Sequence, residues 1–84
     1  MEKEHVSLVN MKPGQTGVVS TVNGGSQRRG KLHSLGITEG MQITKVSSQW
    51  LKGPVTVRCR GTEVALGYGI ARDLLVSTGK EIEK

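Results

Sequence analysis

The stretch LHSLGITEGMQI, Leu32–Ile43, decides the fold. Two leucines three apart precede a glycine. An isoleucine follows it, and a second glycine opens a run of apolar and polar residues. Upstream, SQRRGKLHSLG (Ser26–Gly36) is the one good helix candidate, with Ser26 as its expected N-cap and Leu32 and Leu35 on one face. Gly36 falls where a helix needs a left-handed residue in order to stop. With Gly36 at C′, Ile37 is C″ and Leu32 is C3, the two positions that a Schellman stop joins by apolar contact. The second glycine serves a turn. Thr38-Glu39-Gly40-Met41 places Gly40 at the third position of a type II turn, where φ must be positive. The chain then leaves as a strand, MQITKVS (Met41–Ser47).

Working outward, the rest is short strands and tight turns. Val6, Leu8 and Met11 predict a first strand. KPGQ (Lys12–Gln15) is a second type II turn, with Pro13 and Gly14 at its centre. The β-branched run TGVVSTV (Thr16–Val22) predicts a strand that ends at Asn23-Gly24-Gly25. SSQWLKGP (Ser47–Pro54) is expected as a hairpin loop. PVTVRCR then alternates, with Val55, Val57 and Cys59 on one face and Thr56, Arg58 and Arg60 on the other. Gly61-Thr62 is expected as a tight turn, followed by a strand over Glu63–Gly67, a helical turn in YGIARD and a last strand, LLVS (Leu74–Ser77). Five or six short strands with one short helix predict a mainly β fold, a small, strongly bent barrel.

Eighty-four residues suffice for one domain, expected to be ordered from about residue 6 to 78. Without Phe, and with only Trp50 and Tyr68 as aromatics, the core must come from aliphatic side chains. Cys59 is the single cysteine, so no internal disulfide can form. With no signal peptide evident, this favours a reducing, cytosolic setting. No apolar run approaches the ~20 residues that span a membrane.

The formal charge is +5. Leaving out the terminal segments 1–5 and 79–84, nine basic residues face only Glu39, Glu63 and Asp73, a body of +6. Such a balance serves solubility, or it meets an acidic partner. Arg28, Arg29 and Lys31 form the densest basic cluster. Arginines in the first turn of a helix would oppose its dipole, so a purely structural design would place acids there. Arg58 and Arg60 add a second basic row on an outward strand face. Trp50-Leu51, at a hairpin tip, is either tucked against the barrel or offered as an apolar anchor.

Catalytic chemistry has no evident carriers. No two acidic residues of the body are close in sequence, and NGGSQRRGK lacks the phosphate-loop spacing. Possible metal ligands, His5, His33, Glu39 and Cys59, show no ligand spacing. Cys59 alternates in phase with Val55 and Val57 and is expected as a small core residue. No metal site, cofactor or enzymatic activity is therefore expected.

The layout resembles the FeoA family over residues 6–76. The residues that carry the resemblance are Leu8, Gly14, Val18 and Val19, then Leu32, Leu35, Gly36, Ile37 and Gly40. Gly53, Pro54, Val55 and Val57 follow, and then Gly61, Val64, Ala65, Leu66, Ala71, Leu75 and Val76. Two positions depart from the family pattern. Glu39 stands where a proline is usual, and Gly67 stands where a charged residue is frequent. The resemblance implies an SH3-like barrel with one inserted helix, a module that also occurs in metal-dependent repressors. A chain starting at Met1 leaves no room for a winged helix, so a free-standing module is expected. The resemblance also implies a role. That role is a non-enzymatic cytosolic accessory protein of bacterial ferrous-iron uptake, acting on a ferrous-iron permease with a cytosolic GTP-binding domain (FeoB-type). Iron enters by family association only. The expected partner-binding residues are Arg28, Arg29, Lys31, Trp50, Leu51, Arg58 and Arg60. The alternative is a small basic barrel that binds nucleic acid, against which the scarcity of aromatics argues.

Overall fold

A computed structural model describes residues 5–48 and 53–78. Trp50 and Leu51 lie outside the described residues, as do both termini. The chain runs β1 (His5–Ser7), a 3-10 turn (Leu8–Asn10), β2 (Thr16–Val22), α1 (Gly25–Ser34), β3 (Gln42–Ser48), β4 (Val55–Cys59), β5 (Thr62–Leu66), α2 (Tyr68–Asp73) and β6 (Leu74–Ser77). The strands form one antiparallel sheet in the order β1-β6-β2-β3-β4-β5. Register shifts between Val19 and Thr21, and between Lys45 and Ser47, add the local twist that curls it. The described residues include no ladder between β1 and β5, so the barrel stays open there.

Both glycines of the deciding stretch perform as the sequence predicts. Gly36 has φ 89°. The Ile37 N–H donates to the Leu32 carbonyl at 2.9 Å and the Gly36 N–H to the His33 carbonyl at 2.9 Å, the two bonds of a Schellman stop. Leu32 and Ile37 are both buried in the core. Gly40 also has φ 89°, and the Met41 N–H closes its turn on the Thr38 carbonyl at 3.2 Å. That turn docks on β2, where Gly40 N–H donates to Val19 O and Val19 N–H to Met41 O. The 12–15 turn closes in the same way, with Gln15 N–H donating to Lys12 O at 2.9 Å.

Four expectations need correction. The first strand ends at Ser7, because Leu8 turns into the core through the 3-10 segment. Leu35 does not share the buried face of Leu32. It is the C-cap of α1 and is 39% exposed. The helix starts one residue before Ser26, with Gly24 as N-cap in the left-handed region and no side-chain cap. The β4–β5 turn is Arg60-Gly61 rather than Gly61-Thr62, since Cys59 pairs directly with Thr62.

The core is aliphatic and includes Leu8, Val19, Ile43, Val57, Leu66 and Leu74. Cys59 is buried among them, as its phase on β4 predicts. One lysine joins this core. Lys45 follows Ile43 on the inward face of β3 and is only 2% exposed. Its Nζ donates to the Met11 carbonyl at 2.6 Å and to the Val9 carbonyl at 3.2 Å. These are carbonyls that the chain leaves open as it passes out of the 3-10 turn. The ammonium thus ties β3 to the chain before β2, while burial lowers its pKa.

Candidate partner-docking surface

The basic residues expected to meet a partner divide into two groups in different local settings. The first belongs to α1. Because the helix begins at Gly25, Arg28 and Arg29 are its fourth and fifth residues. Lys31 and His33 fall in the last turn, where positive charge complements the dipole. Opposition to the dipole is therefore not the property that marks this group.

Arg28 has turned inward. Its Nη1 donates to the Gly69 carbonyl at 2.7 Å and to Asp73 Oδ2 at 2.8 Å. Asp73 also meets Arg72 Nε at 3.6 Å, and its carbonyl accepts from the Asn23 N–H. Gly24 permits this arrangement, since a Cβ there would sit 2.6 Å from Arg28 Cγ. Arg28 is thus a strut between α1 and α2. Arg29 and Lys31 remain exposed. A shallow groove of about 340 Å³ lies beside them, lined by Gly24, Gln27, Arg28, Lys31 and Ile70.

The second group lies on the outward face of β3 and β4. Thr44 is in register with Thr16 on β2 and with Arg58 on β4, and Arg58 is in register with Glu63 on β5. The side chains follow this row. Thr16 Oγ1 and Thr44 Oγ1 are 2.8 Å apart, and Arg58 Nη2 donates to Glu63 Oε2 at 2.6 Å. The ion pair is half exposed on both sides. Arg60 follows in the turn with φ 56°, the only positive φ on a non-glycine residue among those described. Together with Gly61 at φ 80° it forms a two-residue turn in which both central residues are left-handed. A residue with a Cβ pays about 1–2 kcal/mol there. Arg58, Arg60 and Gly61 wall an open groove of about 480 Å³. Gly40, Met41, Gln42 and Thr44 line its other side. Sequence alternation points to the arginines. The outward phase of Gln42 and Thr44 on the neighbouring strand was the signal for the rest of this groove.

Among the described residues, no three of the His, Cys, Asp and Glu side chains come together as a metal site would need. Cys59 Sγ lies 2.9 Å from Met41 Sδ, a sulfur pair at the edge of the core. No described helix is long and apolar enough to cross a membrane.

A model of the FeoA domain matches residues 6–78, most of the chain and all six strands bar His5. The chain belongs to the FeoA family. It is 30% identical over 80 residues to the candidate Fe(2+) transport protein A of Methanocaldococcus jannaschii, covering 92% of this chain and 95% of that one. It is also similar to the crystal structure of an iron uptake regulatory protein, FeoA. The TM-score is 0.78 and the identity 36%, over 87% of this chain and 95% of the other. A manganese-dependent transcriptional repressor shares the fold at a TM-score of 0.82 and 20% identity. There the match covers 93% of this chain and 44% of the repressor. The SH3-like architecture expected from the sequence is thus that of the family, and the same module recurs inside a larger regulator.

Proposed function

We propose that this protein is a non-enzymatic accessory factor of ferrous-iron transport. In this reading it docks on the cytosolic side of a ferrous-iron permease with a GTP-binding domain and modulates the permease's assembly or activity. The family match over residues 6–78 carries the iron-transport part, supported by a relative named for Fe(2+) transport. Docking rather than chemistry is supported by the surface. The exposed Arg29 and Lys31 on α1 and the arginine-walled groove on β3–β4 offer positive charge to an acidic partner. Arg28, which belongs to the α1–α2 strut, contributes to holding that surface rather than to contact.

The test is co-purification with the native permease from membranes, with and without a GTP analogue. Retention of the wild-type chain, reduced by the paired change Arg29→Glu and Lys31→Glu, is the expected result. Failure to retain the wild type under any nucleotide condition would sink the proposal.

A further inference from the structure

We infer that the groove between the Thr38–Met41 turn and the Arg60-Gly61 turn is a carboxylate-binding site that receives an acidic segment of a protein partner. The inference rests on the reading that this chain works by docking. Three observations support it.

The first is backbone strain. A two-residue turn with two left-handed residues strongly prefers Asn, Asp or Gly at its first position. This chain keeps an arginine there at φ 56°. A local conflict of this kind is expected where the side chain serves a purpose that the turn does not.

The second is chemistry already visible in the groove wall. Arg58 holds the Glu63 carboxylate at 2.6 Å, so its guanidinium is presented in a geometry that accepts a carboxylate. Because that pair is about half exposed, an incoming carboxylate can replace Glu63 with little loss. Among the described residues, Arg60 has no acidic partner. The groove therefore offers one guanidinium ready and one exchangeable.

The third is the rest of the lining. Thr44 and Gln42 supply neutral hydrogen-bonding groups, and Gly40 and Gly61 leave the rims low. Among the described residues no aromatic side chain lines the groove, so they offer no platform on which a base could stack. That favours an acidic peptide over a nucleic acid.

Fluorescence anisotropy with a labelled octapeptide of alternating Glu and Ser tests the inference on the full chain. The wild type should bind, more weakly as salt rises. Arg60→Gly should weaken binding about tenfold. It should also leave the melting temperature equal or raised, because glycine relieves the left-handed turn. Glu63→Gln should tighten binding by releasing Arg58, and Lys12→Gln, outside the groove, should leave it unchanged. Absence of wild-type binding at low salt would overturn the inference, as would equal binding by Arg60→Gly. Tighter binding of an eight-residue oligothymidylate that is lost in Arg60→Gly would also overturn it, in favour of nucleic acid. Peptide binding that depends on Arg60 without any permease binding would support the groove and sink the docking proposal alone. Permease binding with no peptide binding would do the reverse.

Discussion

At Lys45 an ammonium group lies among aliphatic side chains, held by two main-chain carbonyls. Burial lowers its pKa, so the folded protein gives up this proton at a lower pH than the unfolded chain does. The penalty of enclosing the charge is complete below the lowered pKa. It is relieved progressively as pH rises from there towards the unfolded value of about 10.4. The stability of the wild type relative to Lys45→Met should therefore rise with pH across that alkaline window and be flat below it. Urea melts of the two proteins from pH 7 upward check this, and a flat difference throughout would contradict it. Gly36 is the complementary case. A Cβ there would meet nothing within 4 Å, so the strain a substitution meets at that atom is the backbone's φ 89°. Gly36→Val should cost about 2 kcal/mol, and Gly36→Asn about half that or less. Thermal melts showing both variants equal to the wild type would contradict the helix stop. Gly36 was legible in the sequence because its neighbours Leu32 and Ile37 announce the motif. Lys45 was not. Its place on the inward face follows from Ile43 by alternation, but a lysine at that phase ordinarily marks a solvent-facing strand position.

Among the elements, α1 shows how a charge cluster divides its labour. Nothing in QRRGK distinguishes Arg28 from Arg29. The distinction comes from Asp73 and Gly69, more than forty residues downstream, which α2 carries to the N-terminal end of α1. Gly24 and Gly25 shift the helix start, so Ser26 loses its capping role and Arg28 gains its contact with α2. Arg28→Ala should therefore destabilise by about 1–2 kcal/mol through loss of a charge-assisted pair and a carbonyl contact. Arg29→Glu with Lys31→Glu should leave the melting temperature within a few degrees of wild type. Differential scanning calorimetry of the two proteins separates strut from surface. Equal melting temperatures for Arg28→Ala and wild type would remove the strut. The strands were easier to foresee, since period-two alternation in β4 and the β-branched run of β2 were strong. A limit appears at Gly17 in β2. A Cβ there would collide with Val76 Cγ1 and come within 2.8 Å of the Ser77 carbonyl oxygen. That close approach of β2 to β6 depends on a pairing between distant segments, which no local pattern reveals.

For the whole molecule, the proposed function makes the FeoA domain a carrier for two basic surfaces. In that reading iron is the transported cargo of the system. His33 is exposed on α1 while Cys59 is buried, and among the described residues no ligand cluster forms around either. Anaerobic calorimetry should show no tight, stoichiometric Fe(II) uptake by the isolated protein. Tight uptake that disappears in His33→Ala or Cys59→Ser would contradict this. The architecture and both diagnostic glycines could be read from the sequence. The candidate site was read in part: its arginines were visible, but their separation into strut, groove wall and exposed helix face required the tertiary structure.

The most direct measurement is a titration of the permease's cytosolic GTP-binding region with this protein, carried out over a series of salt concentrations. The account predicts saturable binding that weakens as salt rises. It also predicts that Arg29→Glu with Lys31→Glu lowers affinity and flattens the salt dependence without lowering the melting temperature appreciably. Binding by that variant as tight and as salt-dependent as the wild type's would contradict it.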